Sequence, residues 1–94
     1  LATTVLGQEV SLPVLVAPTG LHRLAHADGE LASAAAAQRA GSLFALSVAA
    51  STAMEEVAAV AGAWWFQLYL LADRGLTLEL VRRAEDAGAD AIVL

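Results

Sequence analysis

The sequence predicts an α/β fold built on a parallel sheet, and three observations predict it. Short continuous apolar runs, residues 14–17, 43–47, 64–70 and 91–94, alternate with longer alanine-rich amphipathic stretches. Each run is too short for a helix, and unbroken apolarity implies a strand covered on both faces, as in a parallel sheet flanked by helices. A weak internal repeat is the second observation. Ala40-Gly41-Ser42-Leu43-Phe44-Ala45-Leu46 and Ala87-Gly88-Ala89-Asp90-Ala91-Ile92-Val93 share one order: helix end, glycine, two connecting residues, buried strand. The third is composition. Of 94 residues, 59% are hydrophobic and 23 are alanine, above the ~45–50% apolar content of soluble domains. Repeated strand-helix units imply parallel crossovers, in either an open doubly wound sheet or part of an eight-fold barrel.

The elements follow in order. Residues 3–6 and 10–12 flank Gly7-Gln8, which suits a small hairpin. After the run at 14–17 comes Ala17-Pro18-Thr19-Gly20, a rigid small-residue turn at the C-terminal end of a strand, where barrel enzymes place their chemistry. Neither G-x-G-x-x-G nor G-x-x-x-x-G-K follows it, so the common nucleotide fingerprints are absent. Residues 28–40 read as a helix with acidic residues in its first turn and Gly41 as its C′ stop. Thr52 followed by Glu55 fits a capping box that opens a helix through about Ala61. In the third helix Leu76, Leu80, Ala84 and Ala87 form an apolar stripe, Glu79 and Arg83 an i,i+4 pair, and Gly88 the stop. A fourth strand then begins at Ala91.

Composition excludes several functions. Without cysteine there is no disulfide framework, thiol nucleophile or cysteine-ligated zinc. A net charge of −5, with five arginines spread along the chain and no lysine, provides no basic stripe, so nucleic-acid binding is not expected. The longest uncharged stretch, residues 57–72, has 16 residues, short of the ~20 that span a bilayer. With no secretion signal at the start, the expectation is a soluble, cytoplasmic protein. Leu1 opens in mid-sequence and the chain stops inside an apolar run, so residues 1–94 read as part of a domain, cut at both ends.

Several side chains invite chemistry. His22 and His26 have i,i+4 spacing, but Arg23 follows His22 and the upstream turn suggests a loop. Metal binding is therefore not expected, and His26 reads as orienting the loop into Asp28. Glu55 and Glu56 lie in a first helical turn, where the helix dipole accounts for them. Trp64 and Trp65 read as packing residues. Gln67 is a polar residue in an apolar strand and needs a partner when buried.

The succession Thr3-Thr4-Val5-Leu6-Gly7, Pro13-Val14-Leu15-Val16-Ala17-Pro18-Thr19-Gly20, Ala25-His26-Ala27-Asp28-Gly29-Glu30, Leu46-Ser47, Glu55-Glu56-Val57, Phe66-Gln67-Leu68-Tyr69 and Val81-Arg82-Arg83-Ala84-Glu85 resembles the FMN-dependent 2-hydroxy-acid oxidases and dehydrogenases, such as glycolate oxidase, lactate monooxygenase and mandelate dehydrogenase. The resemblance runs in order over nearly the whole chain. It implies the early part of a (β/α)8 TIM barrel: entrance hairpin, three strand-helix units and the start of the fourth strand. It further implies FMN as cofactor, a small 2-hydroxy acid as substrate, and a homo-oligomeric parent. Ala17, Pro18, Thr19 and Gly20 match the turn whose backbone lies against the flavin, with the Gly20 amide facing N5. Ser47 and Gln67 match the hydroxyl and amide that hydrogen-bond the flavin's polar edge, and Tyr69 the phenol that holds the substrate at its reacting end.

Three departures accompany the resemblance. The family's proton-abstracting histidine, carboxylate-binding arginine and flavin-adjacent lysine belong to later strands. Val48-Ala49-Ala50 stands where the family often has a bulky residue. Gly20 is alanine in many of the oxidases, which favours a dehydrogenase or monooxygenase. The alternatives are a flavin-dependent isopentenyl diphosphate isomerase, against which Phe66-Gln67-Leu68-Tyr69 speaks, and a non-catalytic structural piece. Unpaired strand edges would make the isolated chain prone to associate.

Overall fold

The computed structural model describes residues 1–94. An antiparallel hairpin comes first, β1 (Thr3–Val5) and β2 (Gln8–Val10), in register Thr3 to Val10, Thr4 to Glu9 and Val5 to Gln8. Its turn is Leu6-Gly7, one residue earlier than expected. Both turn residues have positive φ, 46° and 81°, which a two-residue type I′ loop requires. Gln8 is thereby released to begin β2.

The apolar run at 14–17 does not form a full strand. Val16 alone bridges in parallel to Phe44. Its N–H donates to the Leu43 carbonyl and its own carbonyl accepts from Ala45 N–H, each at 3.0 Å. Pro13 and Pro18 lack N–H donors at either end, the Ser42 hydroxyl takes the Val14 carbonyl, and Val14 is exposed. With one neighbour instead of two, the segment holds a single bridge.

Three strands make the main sheet: β3 (Phe44–Ser47), β4 (Trp64–Gln67) and β5 (Ala91–Val93), parallel and in chain order. Helices α1 (Gly29–Arg39), α2 (Met54–Val60) and α3 (Arg74–Asp86) connect them. Strand pleat decides what each residue does. Phe44, Leu46, Trp64, Phe66 and Leu68 point to the helices and join Ala34 and Ala37 of α1, Met54 and Val57 of α2, and Ala84 of α3 in one buried cluster. Full burial contributes about 1.5–3 kcal/mol for each such Phe or Leu. Exposed ion pairs contribute about 0–1 kcal/mol, so this core carries the fold.

Helix ends divide into those that follow local pattern and those that do not. At α1, Gly41 (φ 65°) donates to Gln38 and Ser42 N–H donates to Ala37. At α3, Gly88 (φ 86°) donates to Glu85 and Ala89 N–H to Ala84. Both are Schellman stops, so the internal repeat is a repeated piece of backbone. Asp73 caps α3 by accepting from Leu76 N–H at 3.1 Å.

Three expectations need correction. The capping box at Thr52 and Glu55 is not formed. Ala53 is the N-cap of α2 with no side-chain bond, because the Thr52 hydroxyl donates instead to Glu30 Oε1 at 2.8 Å, and a hydrogen bond to a charged acceptor is roughly twice as strong as a neutral one. Arg83 does not pair with Glu79. Its Nε and Nη2 donate to Glu55 Oε1 and Oε2, both at 2.9 Å, a two-pronged geometry available across α2 and α3. This contact holds the Glu55 carboxyl below its ordinary range and raises the Arg83 guanidinium. The α3 stripe is shorter than expected, since Leu76 is exposed while Leu80, Ala84 and Ala87 pack on the core.

The two stops differ in surroundings. A Cβ at Gly88 would meet nothing within 4 Å, whereas one at Gly41 would collide with the Ser11 side chain. Gly88→Ala is expected to cost about 1 kcal/mol, the left-handed backbone penalty, and Gly41→Ala about 2 kcal/mol or more once overpacking is added. Urea midpoints of the two variants check the order; equal losses would contradict it.

Candidate functional site

The sheet's other face turns away from the helices and collects the polar residues. In register across it lie Ala45, Trp65 and Ala91, then Ser47, Gln67 and Val93. Ser47 and Gln67, at the C-terminal ends of β3 and β4, are both buried. Ser47 Oγ accepts from Ala49 N–H at 3.0 Å and donates to Gln67 Oε1 at 3.3 Å. The carbonyl of the Gln67 amide is thus engaged, while its NH2 has no partner in the chain and is not enclosed. An amide with its carbonyl tied and its donors open offers a fixed hydrogen-bond donor to a flat polar ligand. Trp65 Nε1 is buried with no acceptor.

Tyr69 stands two residues past Gln67. Leu68 N–H still donates to the Val93 carbonyl at 2.8 Å, which extends the sheet pattern and leaves Tyr69 exposed at the strand mouth, 60% accessible. Its phenol has no hydrogen-bond partner in the chain, so the structure does not join it to Ser47 or Gln67.

The Ala17-Pro18-Thr19-Gly20 turn reaches the same end of the sheet by another route. Leu21, in left-handed conformation (φ 54°), donates its N–H to the Ala49 carbonyl at 3.1 Å. Gly20 lies against the same residue. An added Cβ would sit 3.1 Å from Ala49 Cβ and 3.3 Å from its carbonyl oxygen. Packing therefore accounts for glycine here without reference to the electron acceptor. Thr19 Oγ1 makes a long 3.4 Å bond to the Ala17 carbonyl. A cavity of about 490 Å3 takes in Thr19, Gly20, His22 and Ser33 but not Ser47, Gln67 or Tyr69.

Beneath the turn lies a residue that sequence reasoning missed. Glu30, in the first turn of α1, is fully buried. Oε2 accepts from the backbone N–H of Ser51 at 2.8 Å and of His22 at 3.2 Å. The Ser51 hydroxyl donates to Oε1 at 2.7 Å, and Thr52 to the same oxygen at 2.8 Å. Burial pushes the Glu30 carboxyl up, but the bonds from Ser51 N–H and from the Ser51 and Thr52 hydroxyls outweigh it and bring it down to about 2. The helix dipole has the same sign. Reading Glu30 as a first-turn acid accounted for its position on the helix but not its burial; the adjacent hydroxyls Ser51-Thr52 were the available signal.

His26 does orient its loop, since its Nδ1 accepts from Asp28 N–H at 3.1 Å. His22 is held elsewhere, Nδ1 3.0 Å from Ser33 Oγ and its ring edge-on to Phe44. No group of three His, Cys, Asp or Glu side chains is gathered where a metal could bind. Trp64 belongs to the helix-side core, as expected of a packing residue, and Trp65 faces the opposite way.

The family described as FMN-dependent dehydrogenase matches residues 1–94. Glycolate oxidase 3 of Arabidopsis thaliana is 48% identical over 94 residues, 99% of this chain and 26% of its own length. The 4-hydroxymandelate oxidase of Amycolatopsis orientalis is 51% identical over 89 residues, 95% of this chain and 25% of its own. A solved mandelate oxidase with (S)-4-hydroxymandelic acid is 49% identical, with a TM-score of 0.95 over 98% of this chain and 26% of that one. A mandelate oxidase variant carrying a monooxide FMN adduct matches with the same TM-score at 48% identity, over 98% of this chain and 29% of that one. The chain spans about a quarter of the length of these relatives. With its hairpin and parallel strand-helix units matched from end to end, the chain belongs to the FMN-dependent dehydrogenase family and corresponds to the N-terminal quarter of its TIM-barrel oxidases.

Proposed function

We propose that residues 1–94 form the opening quarter of a complete (β/α)8 enzyme that binds FMN and oxidises a small 2-hydroxy acid to the 2-oxo acid, as a cytoplasmic homo-oligomer. The observation that carries the reading is the Ser47–Gln67 pair: two buried polar side chains, in register on neighbouring strand ends, with the amide donors of Gln67 left open. The two side chains satisfy each other only in part, and the Gln67 NH2 stays open to a ligand. The residues fit a flavin. An amide that donates suits the ring's carbonyl edge, and the close Gly20–Ala49 approach leaves a turn of backbone donors free of bulk.

When bound, FMN supplies the two-electron oxidising chemistry. The chain's own residues bind and orient. The backbone of the Ala17-Pro18-Thr19-Gly20 turn would lie against the ring with the Thr19 and Gly20 N–H groups as donors, since Pro18 has none, Ser47 holds the Gln67 carbonyl so that its NH2 points one way, and Tyr69 offers a free phenol to the substrate's reacting oxygen. The base that removes the substrate proton belongs to later strands. The relatives, named for glycolate and hydroxymandelate, support this substrate class. No helix of the chain is long and apolar enough to cross a membrane.

The test is direct. The complete parent protein, purified, is expected to carry one FMN per chain by visible absorbance, to bleach anaerobically on addition of glycolate, lactate or mandelate, and to yield the 2-oxo acid. A flavin-free protein, or a flavin that none of these acids reduces, would sink the reading.

A further inference from the structure

Glu30 is the most heavily bonded side chain in the molecule, and the groups it binds come from two separate loops. One loop, residues 17–23, runs from the Ala17-Pro18-Thr19-Gly20 turn to His22, whose backbone N–H the carboxylate accepts. The other, residues 48–52, follows β3 and supplies Ser51 N–H and the Ser51 and Thr52 hydroxyls. Two more contacts tie the loops directly. Arg23 N–H donates to Ser51 Oγ at 3.1 Å, the oxygen that Glu30 orients, and Leu21 N–H donates to the Ala49 carbonyl at 3.1 Å. Ala49 N–H is in turn bonded to Ser47 Oγ. Hydrogen bonds therefore join Glu30 to Ser51 and Ser51 to Arg23 on one side, and the short backbone from Ser51 back to Ala49 carries the connection on to Ser47 and Gln67 on the other. Gly20 is pressed on Ala49 at the point where the loops meet.

We propose that Glu30 is a positioning residue that clamps the two loops together and so sets the spacing between the Gly20 turn and the Ser47–Gln67 pair. Resting on the flavin reading above, the spacing it sets is that between the two sets of groups presented to one ring. Glu30 itself touches neither ring nor substrate. A carboxylate suits this work because it only accepts, and all the groups converging on it donate. An amide in its place keeps one oxygen for the two backbone N–H groups but loses the charge, and the Ser51 and Thr52 hydroxyls must turn round to accept from its NH2. Gly29 supports the arrangement: with φ at +47°, it bends the chain into α1 directly beneath Arg23, whose Cγ would lie 2.6 Å from an added Cβ.

The test compares Glu30→Gln with Val57→Ala in the complete protein, since Val57 lies on the buried face of α2 and its side chain takes no part in the hydrogen bonds between the loops. Two quantities are measured below both melting temperatures: the FMN dissociation constant with the flavin absorption maximum, and amide exchange at His22, Arg23 and Ser51. Glu30→Gln is expected to weaken FMN binding at least tenfold, move the flavin maximum, and speed exchange at the three amides at least tenfold while β3 and β4 stay protected. Val57→Ala is expected to leave affinity and maximum unchanged within twofold. Should Glu30→Gln fail to fold, Ser51→Ala and Thr52→Val each remove part of the clamp and are expected to give the same changes at reduced size. Equal effects of Glu30→Gln and Val57→Ala on FMN would overturn the proposal, as would unchanged loop exchange. A wild-type protein that binds no FMN would instead overturn the flavin reading, and the exchange data would then decide the clamp alone.

Discussion

Tyr69→Phe in the complete parent protein is expected to lower kcat about a hundredfold and to leave the melting temperature unchanged. The second half makes the first diagnostic. Within residues 1–94 Tyr69 is exposed and its phenol bonds to nothing, so removing one oxygen breaks no hydrogen bond of this part of the fold and opens no cavity in it. Surface changes of that kind stay within about 0.5 kcal/mol. Its proposed task is to donate to the oxygen that changes charge as the substrate is oxidised, and loss of one such donor costs about 10²–10³ in kcat. Steady-state rates with glycolate, lactate and mandelate, beside a thermal melt, read both outcomes. Unchanged turnover on all three would remove Tyr69 from the site.

The largest effect on stability is expected at Glu30, and two routes give the same size. Glu30→Ala leaves two backbone N–H groups and two hydroxyls facing a hole; unsatisfied buried donors cost about 1–3 kcal/mol each, and reorientation of the hydroxyls brings the total to about 3 kcal/mol or more. Expressed through proton affinity, the same bonds lower the carboxyl from 4.5 to about 2 on folding, which at about 1.36 kcal/mol per tenfold change is about 3 kcal/mol. Because the folded value is the lower one, this contribution is fully present above pH 4.5 and is lost as the pH falls toward 2. Denaturant titrations of wild type and Glu30→Gln from pH 7 to pH 2.5 are expected to converge at the acid end. A gap that stays constant with pH would show that the carboxylate's charge is not what holds the loops.

These cases mark what could be read from sequence. The alternating runs and the two glycine stops depend on neighbours a few residues apart, and β3, β4, β5 and all three helices stand where periodicity put them to within a few residues. Ser47 and Gln67 were legible because polar residues at the ends of apolar strands break the local pattern. What failed was long-range. Thr52 looked like a cap to its own helix until a buried carboxylate 22 residues earlier claimed its hydroxyl, and Arg83 had a partner four residues away but took one 28 residues away. A short-range rule cannot rank a local partner against a distant one. The run at 14–17 erred differently: its apolar pattern is that of a strand with two neighbours, and in this chain it has one.

The sheet order carries a consequence for how the chain folds. Strands pair only with their successors in sequence, Val16 with Phe44, Phe44 with Trp64 and Trp65 with Ala91, so each closure spans between 20 and 28 residues. Loop-closure entropy grows as the logarithm of length, so these closures differ by only about 0.3 kcal/mol. Within residues 1–94 no pairing waits on a distant partner. Each strand-helix unit can dock as soon as it leaves the ribosome, onto an edge that its predecessor has just finished.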